Sequence, residues 1–350
     1  MERLYKIIIA VLAVWVFILT VQVNNLSNLA TNERETSIIE NHVDGFSTDL
    51  TKISAEVQSS IVTIKKDGEY ASGVIYAQDG EDVYVVTNYH AVEDGNIIQV
   101  VLDNLNGLQA ELIGYDVYTD VAVLKIKCKY NVTPIKLGDS SLLKTGEYVL
   151  AFGNPLSLDY RGSVSLGLVS TNARIMDMSV DNQLYFIKMI QSDITLNDGN
   201  NGGPLCNQSG EMIGLNTDAL NTKDSQGMSF SLPVNEMRLV VDQIIENGSA
   251  SKVNLGLKVF EINRLMNYQK NNLNINLDVV EGLYVGSVRS DFIGNYIGIK
   301  EGDIILRING EKVDTLDQYI EMEYAVEDKL VVEVLRQGVE MTFEGSINND

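Results

Sequence analysis

The stretch QSDITLNDGNNGGPL, residues 191–205, decides the fold of this chain. Its glycines, Gly199, Gly202 and Gly203, permit a tight, partly positive-φ backbone in which consecutive N–H groups point at one spot. Such a turn receives an oxyanion when a nucleophile sits inside it. The final Pro-Leu pair leads into a new strand-like segment. The stretch therefore predicts an active-site turn at the start of a strand.

Amino-acid composition, net charge and cysteine count exclude several kinds of protein and partner. The chain has 350 residues, 45% of them hydrophobic and 21% charged, which indicates a globular protein of two or three compact units. The formal net charge of -22 disfavours nucleic acid and anionic lipid as partners, although a well-solvated surface is the simpler interpretation. Cys128 and Cys206 are too few for a disulfide framework or a metal site, and we expect Cys206 to be a small buried residue. No metal, nucleotide or other cofactor is expected.

The N-terminus carries a candidate membrane anchor. Residues 7–23, IIIAVLAVWVFILTVQV, form an uncharged run of about 17 residues, near the lower length limit for a span. Arg3 and Lys6 precede it, so the positive-inside rule puts the N-terminus in the cytoplasm and the rest of the chain outside. A cleaved signal peptide is the alternative, but VQVNNLSN offers no small-x-small cleavage site. We expect residues 1–23 to be a cytoplasmic tail and single-pass anchor in the cell membrane, and residues 24–50 to be a polar stalk.

Beyond the stalk the pattern is that of a β protein. Eleven short alternating or apolar runs follow from Ile53, separated by turns, and predict an all-β barrel or sandwich. Residues 235–247 have helical spacing and predict one amphipathic helix that closes this domain. GSASK, residues 248–252, is interpreted as a linker, and the roughly 95 residues after it suit a small domain of short strands and one or two helices. Within it, GNYIGIKEGD, residues 294–303, has a helical pattern. We therefore expect domains at residues 51–248 and 253–348.

The opening stretch resembles the active-site turn of the trypsin-like HtrA/DegP family, D-x-x-x-N-x-G-N-S-G-G-P-L. Eight residues fit this pattern: Asp193, Asn197, Gly199, Asn200, Gly202, Gly203, Pro204 and Leu205. Where the family carries its nucleophilic serine, this chain has Asn201. His90 in TNYHAV and Asp120 in YTDVAVLKI are similar to the family's T-N-x-H-V-V and D-L-A-V-L-K, and the order His, Asp, turn is trypsin-like. Taken alone, His90 could be an ordinary strand-end histidine and Asp120 a turn aspartate.

The resemblance extends from about Ile53 to Ile347. It implies a mainly β fold, with a trypsin-like double β-barrel followed by an α+β PDZ domain, for which the run GIKEGDIILRINGEKV is the best match. His90 would then be the general base, held in its tautomer by Asp120. The backbone N–H groups of Gly199 and Asn201 would form the oxyanion hole.

Two further segments match peptide-binding positions of the family. The first is the strand segment Leu215, Asn216 and Thr217, which would pair with a substrate main chain unless it is a plain core strand. The second is NLGLKV, in which Leu255, Gly256 and Leu257 match the carboxylate-binding loop of a PDZ domain unless this is only a domain-entry strand.

Asn201 is the departure that matters for function. An amide nitrogen is delocalised into its carbonyl and the amide oxygen has no proton to give up, so neither atom attacks a peptide bond. Loss of the nucleophile in a related triad enzyme costs about a millionfold in turnover. The sequence predicts a pseudoprotease that keeps binding to unfolded proteins and exposed C-terminal peptides. An active serine endopeptidase that degrades unfolded envelope proteins is the alternative.

Assembly is implied only by the resemblance. Members of the family act in envelope protein quality control and assemble as trimers or larger oligomers. We expect a homotrimer, with Phe46 as a candidate contact, or a hetero-oligomer with an active paralogue.

Overall fold

The computed structural model describes residues 19–22, 49–94, 97–102, 107–154, 162–180, 183–196, 198–218, 227–326 and 328–347. The chain divides into two compact units, residues 1–55 and 56–350. Residues 19–22 and 49–58 are helical, and we label the second of these helices α1. Most of the expected anchor and stalk, including His42 and Phe46, lies outside the described residues. Within the described residues, no helix is both long enough and apolar enough to span a membrane.

The first half of the larger unit is a seven-stranded antiparallel sheet in the order β5-β4-β1-β2-β3-β7-β6. Its strands are Ile61–Lys66 (β1), Glu69–Asp79 (β2), Asp82–Asn88 (β3), Ile98–Val101 (β4), Gly107–Gln109 (β5), Glu111–Asp116 (β6) and Val121–Lys127 (β7). Alternating aliphatic side chains such as Val83, Val85 and Leu124 are fully buried and form part of its core. Because these residues point to one face, the sheet is held in a single register.

The second half closes into a barrel with the strand order β10-β13-β12-β11-β8-β9. Its strands are Tyr148–Gly153 (β8), Ser163–Val180 (β9), Gln183–Ser192 (β10), Pro204–Cys206 (β11), Met212–Thr217 (β12) and Ser229–Pro233 (β13). The expectation of two closed barrels is thus met by the second half. In the described part of the first half, the strands form a path with β5 and β6 at its ends.

The predicted amphipathic helix is confirmed as α2, Val234–Asn247. Met237, Val240, Val241 and Ile244 are its buried stripe, which is the spacing of one helix face. The helix ends at Gly248, whose φ of 80° places it in the left-handed conformation that terminates helices, and its N–H bonds back to the Ile244 carbonyl.

The C-terminal part is a six-stranded antiparallel sheet with short helices. The strands are Leu257–Glu261 (β14), Leu283–Val288 (β15), Ile304–Ile308 (β16), Glu311–Lys312 (β17), Lys329–Arg336 (β18) and Val339–Ser346 (β19), and the helices are Asn267–Asn272 (α3), Ile293–Tyr296 (α4) and Leu316–Ala325 (α5). Thr315 caps α5 by accepting a hydrogen bond from the Gln318 N–H. The helical pattern read at residues 294–303 is wrong after Tyr296, because Gly298 and Gly302 adopt φ of 100° and 90°.

Lys252, the last residue of the segment interpreted as a linker, is held by ion pairs. The Lys252 ammonium lies 2.9 Å from Glu236 Oε1 on α2 and 3.5 Å from Glu323 Oε2 on α5, and all three side chains are buried. Burial by itself lowers the pKa of Lys252, but the charges of Glu236, Tyr324 and Glu323 outweigh it and hold that pKa well above its ordinary value. Lys188 on β10 likewise lies 2.6 Å from Asp317 on α5. Ion pairs therefore join the barrel to the C-terminal sheet.

Candidate active site

Strand pairing brings the predicted base and acid together. β3 pairs with β7 so that Asn88, the last residue of β3, lies opposite Val121, the first of β7. His90 and Asp120, just beyond these two ends, therefore meet: His90 Nδ1 lies 2.7 Å from Asp120 Oδ2, and the His90 backbone N–H donates to Asp120 Oδ1 at 2.9 Å. Thr217 Oγ1 also donates to Asp120 Oδ2, at 2.8 Å. Three donors thus hold a carboxylate that is only 4% exposed.

The other ring nitrogen of His90 faces a second carboxylate, which the sequence analysis missed. His90 Nε2 lies 3.4 Å from Asp218 Oδ1. Burial lowers the pKa of His90, but the hydrogen bond and charge of Asp120, with the charges of Asp218 and Glu93, hold it above the ordinary 6.5. Both ring nitrogens of His90 therefore face carboxylates, which stabilise the charged form of the imidazole. Its only sequence signal is the position of Asp218 directly after the matched strand.

The glycine turn is packed tightly against the backbone around it. Gly202 has φ of 75°, and a Cβ there would lie 2.3 Å from the Ser72 carbonyl oxygen. A Cβ at Gly203 would lie 2.1 Å from the Phe152 carbonyl oxygen. Such contacts exclude any side chain at either position. Asn201 lies between these glycines and the short 3-10 helix Asp198–Asn200 and is 4% exposed.

Ser72 on β2 anchors this turn to the first sheet. Its backbone N–H donates to the Asn201 carbonyl at 3.0 Å, and its hydroxyl donates to the Gly199 carbonyl at 2.6 Å. The same hydroxyl accepts from the Asn154 N–H at 2.7 Å. Together with the Thr217–Asp120 hydrogen bond, these contacts join the first sheet to the second half.

The convergence of the Gly199 and Asn201 N–H groups on one point stays a prediction. Asp198–Asn200 form a 3-10 helix. The first N–H groups of a helix have no acceptor within the helix, and Gly199 lies at this end.

A cleft of about 440 Å³ opens between the β1–β2 hairpin and the glycine turn. His90 and Asn201 both line it, which places the predicted base and the substituted position in one site. Asp218 and Glu69 are also at its walls. The cleft therefore brings the predicted base, the substituted position and two carboxylates together in one site.

The predicted substrate strand is wrong at two of its three residues. Leu215 pairs with Pro204 on one side and Leu232 on the other. The Asn216 N–H donates to the Gly203 carbonyl at 2.9 Å, and its carbonyl accepts from Gly202 at 3.0 Å. Neither residue presents a strand edge, because β12 lies between β11 and β13. A peptide edge along this strand can begin only at Thr217, whose side chain holds Asp120.

The predicted carboxylate loop is occupied by the protein's own side chains. The Leu255 N–H donates to Glu323 Oε1 at 3.2 Å, and the Gly256 N–H donates to Asn254 Oδ1 at 2.8 Å. Gly256 has the positive φ, 68°, that such a loop needs, and Leu257 begins β14. Two of the three N–H groups thus have internal acceptors, and carboxylate binding at Leu255, Gly256 and Leu257 stays a prediction.

The titratable groups elsewhere offer no metal centre. In the parts of the chain that the structure describes, no group of three or more His, Cys, Asp and Glu side chains is placed to hold a metal ion. Cys128 and Cys206 are free and buried, and burial raises the pKa of the Cys206 thiol far above its ordinary range.

The chain is similar to known trypsin-like serine proteases. Residues 71–215 match the family described as trypsin-like peptidase domain. "Serine protease Do-like HtrB" of Bacillus subtilis (strain 168) is 34% identical over 281 residues, which cover 79% of this chain and 61% of that protein. "Serine protease Do-like HtrA" of Lactococcus lactis subsp. cremoris (strain MG1363) is 30% identical over 279 residues, covering 77% and 69%. This chain thus spans less than two thirds of the Bacillus protein's length.

Solved structures agree. "HtrA-type protease AlgW with tripeptide" superimposes with a TM-score of 0.62 at 26% identity, over 86% of this chain and 98% of that one. "HtrA-type protease AlgW with decapeptide" gives 0.57 at 25% identity, over 85% and 98%. Together with the curled first sheet and the closed second barrel, these similarities establish a mainly β, trypsin-like HtrA fold. The chain belongs to the HtrA/Do-like family of trypsin-like serine proteases.

Proposed function

We propose that this chain is an HtrA-type pseudoprotease that binds extended segments of unfolded envelope proteins without cutting them. The observation that carries the proposal is Asn201, which stands at the centre of the glycine turn and in the same cleft as His90. An asparagine amide supplies neither a hydroxyl to deprotonate nor a lone pair free to attack a carbonyl.

The surroundings of His90 support the same conclusion. In a working triad the Nε2 atom takes the proton of the nucleophile. Here Nε2 lies 3.4 Å from a carboxylate oxygen of Asp218. The group at Nε2 is thus a carboxylate and not a hydroxyl that His90 could activate. The His90–Asp120 pair is kept, and the nucleophile is what the site lacks.

Peptide binding is the activity that remains. The cleft of about 440 Å³ lies beside the His90–Asp120 pair, where a trypsin-like enzyme holds its substrate. The similar AlgW structures are of the protease with a tripeptide or with a decapeptide, which supports peptide binding by the fold. Because two N–H groups of the Leu255–Leu257 loop are already bonded, we assign capture to the cleft rather than to that loop.

Three further features complete the proposal. Residues 7–23 anchor the chain in the cell membrane with both folded parts outside the cytoplasm, as their hydropathy and flanking charges indicate. Residues 253–348 are a PDZ-type domain, and the five-strand path with α5 beside β14 is compatible with it. The protein works as a trimer or in association with an active paralogue.

The test compares the full-length chain with its Asn201→Ser variant for cleavage of an unfolded model protein. We expect no cleavage by the native chain, cleavage by the variant, and its loss again when His90→Ala is added. A serine-directed phosphonate should label only the single variant. The native chain should still bind an extended peptide in fluorescence anisotropy.

The opposite result identifies the second candidate function. Cleavage and phosphonate labelling of the native chain at a rate comparable with the variant would mean an active serine endopeptidase. The intact His90–Asp120–Thr217 hydrogen bonds are the observation in its favour. In that case another nucleophile would have to be mapped.

A further inference from the structure

The cleft beside the glycine turn is unusually rich in hydrogen-bond acceptors. Its lining residues are Ile64, Gly68, Glu69, Tyr70, Ala71, His90, Ala91, Asn201 and Asp218. Two of these are carboxylates and, within this described lining, none is Lys or Arg. His90 can carry at most one positive charge, whereas Asp120 behind it adds a third carboxylate. The cleft is therefore negative whether or not His90 is charged.

A second observation points to a missing donor. Asn201 is 96% buried, being 4% exposed, and within the described part of the chain its Oδ1 has no hydrogen-bond partner. A buried acceptor that remains unpaired is costly, and in native proteins it usually awaits a water, an ion or a ligand. Asn201 lines the same cleft as the two carboxylates. A donor entering the cleft would thus meet an unpaired amide oxygen and two carboxylates.

We propose that this cleft takes the cationic side chain of a bound peptide, a lysine ammonium or an arginine guanidinium. These groups are donors only, and their hydrogen bonds to carboxylates are charge-assisted. Their methylene stems need an apolar path, which Ile64, Tyr70 and Ala71 supply at the cleft wall. The inference rests on the proposed peptide binding and adds a preference for basic segments to it.

The test uses the full-length chain and two labelled extended peptides that differ at one central position. One peptide carries arginine and the other citrulline, which has nearly the same shape but no charge. We expect the arginine peptide to bind about tenfold more tightly in fluorescence anisotropy at low salt, since each half-exposed carboxylate contributes about threefold. The preference should shrink as salt is added, because exposed charges are screened.

Variants locate the preference in the cleft. Glu69→Gln should reduce the arginine preference by about threefold, and it leaves the carboxylate that faces His90 in place. Asp218→Asn should reduce the preference by a similar factor. Glu340→Gln is the matched control, because Glu340 is exposed on β19 in the C-terminal sheet. It should leave the preference unchanged.

The outcomes separate this inference from the proposal beneath it. If both peptides bind equally, or if Glu69→Gln and Glu340→Gln have the same effect, the cationic site is refuted and peptide binding stands. If neither peptide binds, peptide binding itself is refuted and this inference falls with it. A preference that falls about threefold in each of the two cleft variants and stays unchanged in Glu340→Gln establishes the site.

Discussion

Replacing Lys252 by methionine should weaken the attachment of the C-terminal sheet to the barrel. The ammonium contacts Glu236 at 2.9 Å and Glu323 at 3.5 Å, and the three side chains are only 11%, 2% and 7% exposed. Methionine keeps the length and apolar stem of lysine but leaves two buried carboxylates without a cation. Removing one partner of a buried pair costs about 3–5 kcal/mol. That is a large part of a typical folding free energy of about 5–15 kcal/mol.

The raised pKa of Lys252 determines the pH range in which Lys252→Met should lower the stability of the fold. A folded pKa above the ordinary 10.5 means that the charge-linked stability is fully present below pH 10.5 and is lost as the pH rises through the folded value. At neutral pH the whole effect is therefore available. In urea, followed by circular dichroism, the midpoint should fall by about 1–1.7 M for an m-value of about 3 kcal/mol/M.

Lys312→Met is the matched control. Lys312 also contacts two carboxylates, Glu281 and Asp314, but its side chain is 52% exposed. Its removal should leave the urea midpoint unchanged within error, because exposed ion pairs contribute little. Adding Glu236→Gln and Glu323→Gln to Lys252→Met should recover most of the loss, because neutral partners need no cation. Equal midpoints for Lys252→Met and Lys312→Met would refute the reasoning.

Three more predictions follow from the site. Thr217→Val removes a hydrogen-bond donor from the buried Asp120 carboxylate and should lower the free energy of unfolding by about 1–3 kcal/mol, measured by thermal unfolding. Thr217→Ser keeps the hydroxyl and should not lower it. Equal losses in the two variants would contradict this prediction. Gly203→Ala puts a Cβ 2.1 Å from a backbone carbonyl and should cost about 3 kcal/mol or more, against little for Gly107→Ala, whose nearest atom is a flexible side chain at 3.4 Å. His90 has a folded pKa above 6.5, so its charge-linked stability is present below pH 6.5 and lost as the pH rises through the folded value. Imidazole NMR should find that pKa lowered in Asp218→Asn, and an unchanged pKa would remove Asp218 from the site.

Short-range sequence patterns predicted an element correctly where the pattern depends on that element alone. The spacing of Met237, Val240 and Ile244 places α2 correctly, because a helix face is a property of a single segment. Alternating runs likewise mark most strands of both halves. The pattern at residues 294–303 misled because two glycines with positive φ interrupt it, and a φ value is not visible in a periodic pattern.

The site was only partly predictable for the same reason. His90, Asp120 and the glycine turn were found from short motifs, and the β3–β7 register explains why the first two meet. Leu215 and Asn216 were misassigned because a strand motif does not show which strands lie on either side of it. The hydrogen bond from the Leu255 N–H to Glu323 was not predictable from local patterns, because the two residues are 68 positions apart in the chain.

The amino-acid sequence by itself determined the family, the order of the site residues and the absence of a hydroxyl at position 201, because these depend on residue identity and short-range spacing. Only the tertiary structure decided which charges meet. It placed Asp218 at His90 Nε2, Lys252 between two glutamates and Glu323 in the predicted carboxylate loop. Such contacts join residues far apart in sequence, and their energies depend on distance and burial that arise only when the sheets close and pack.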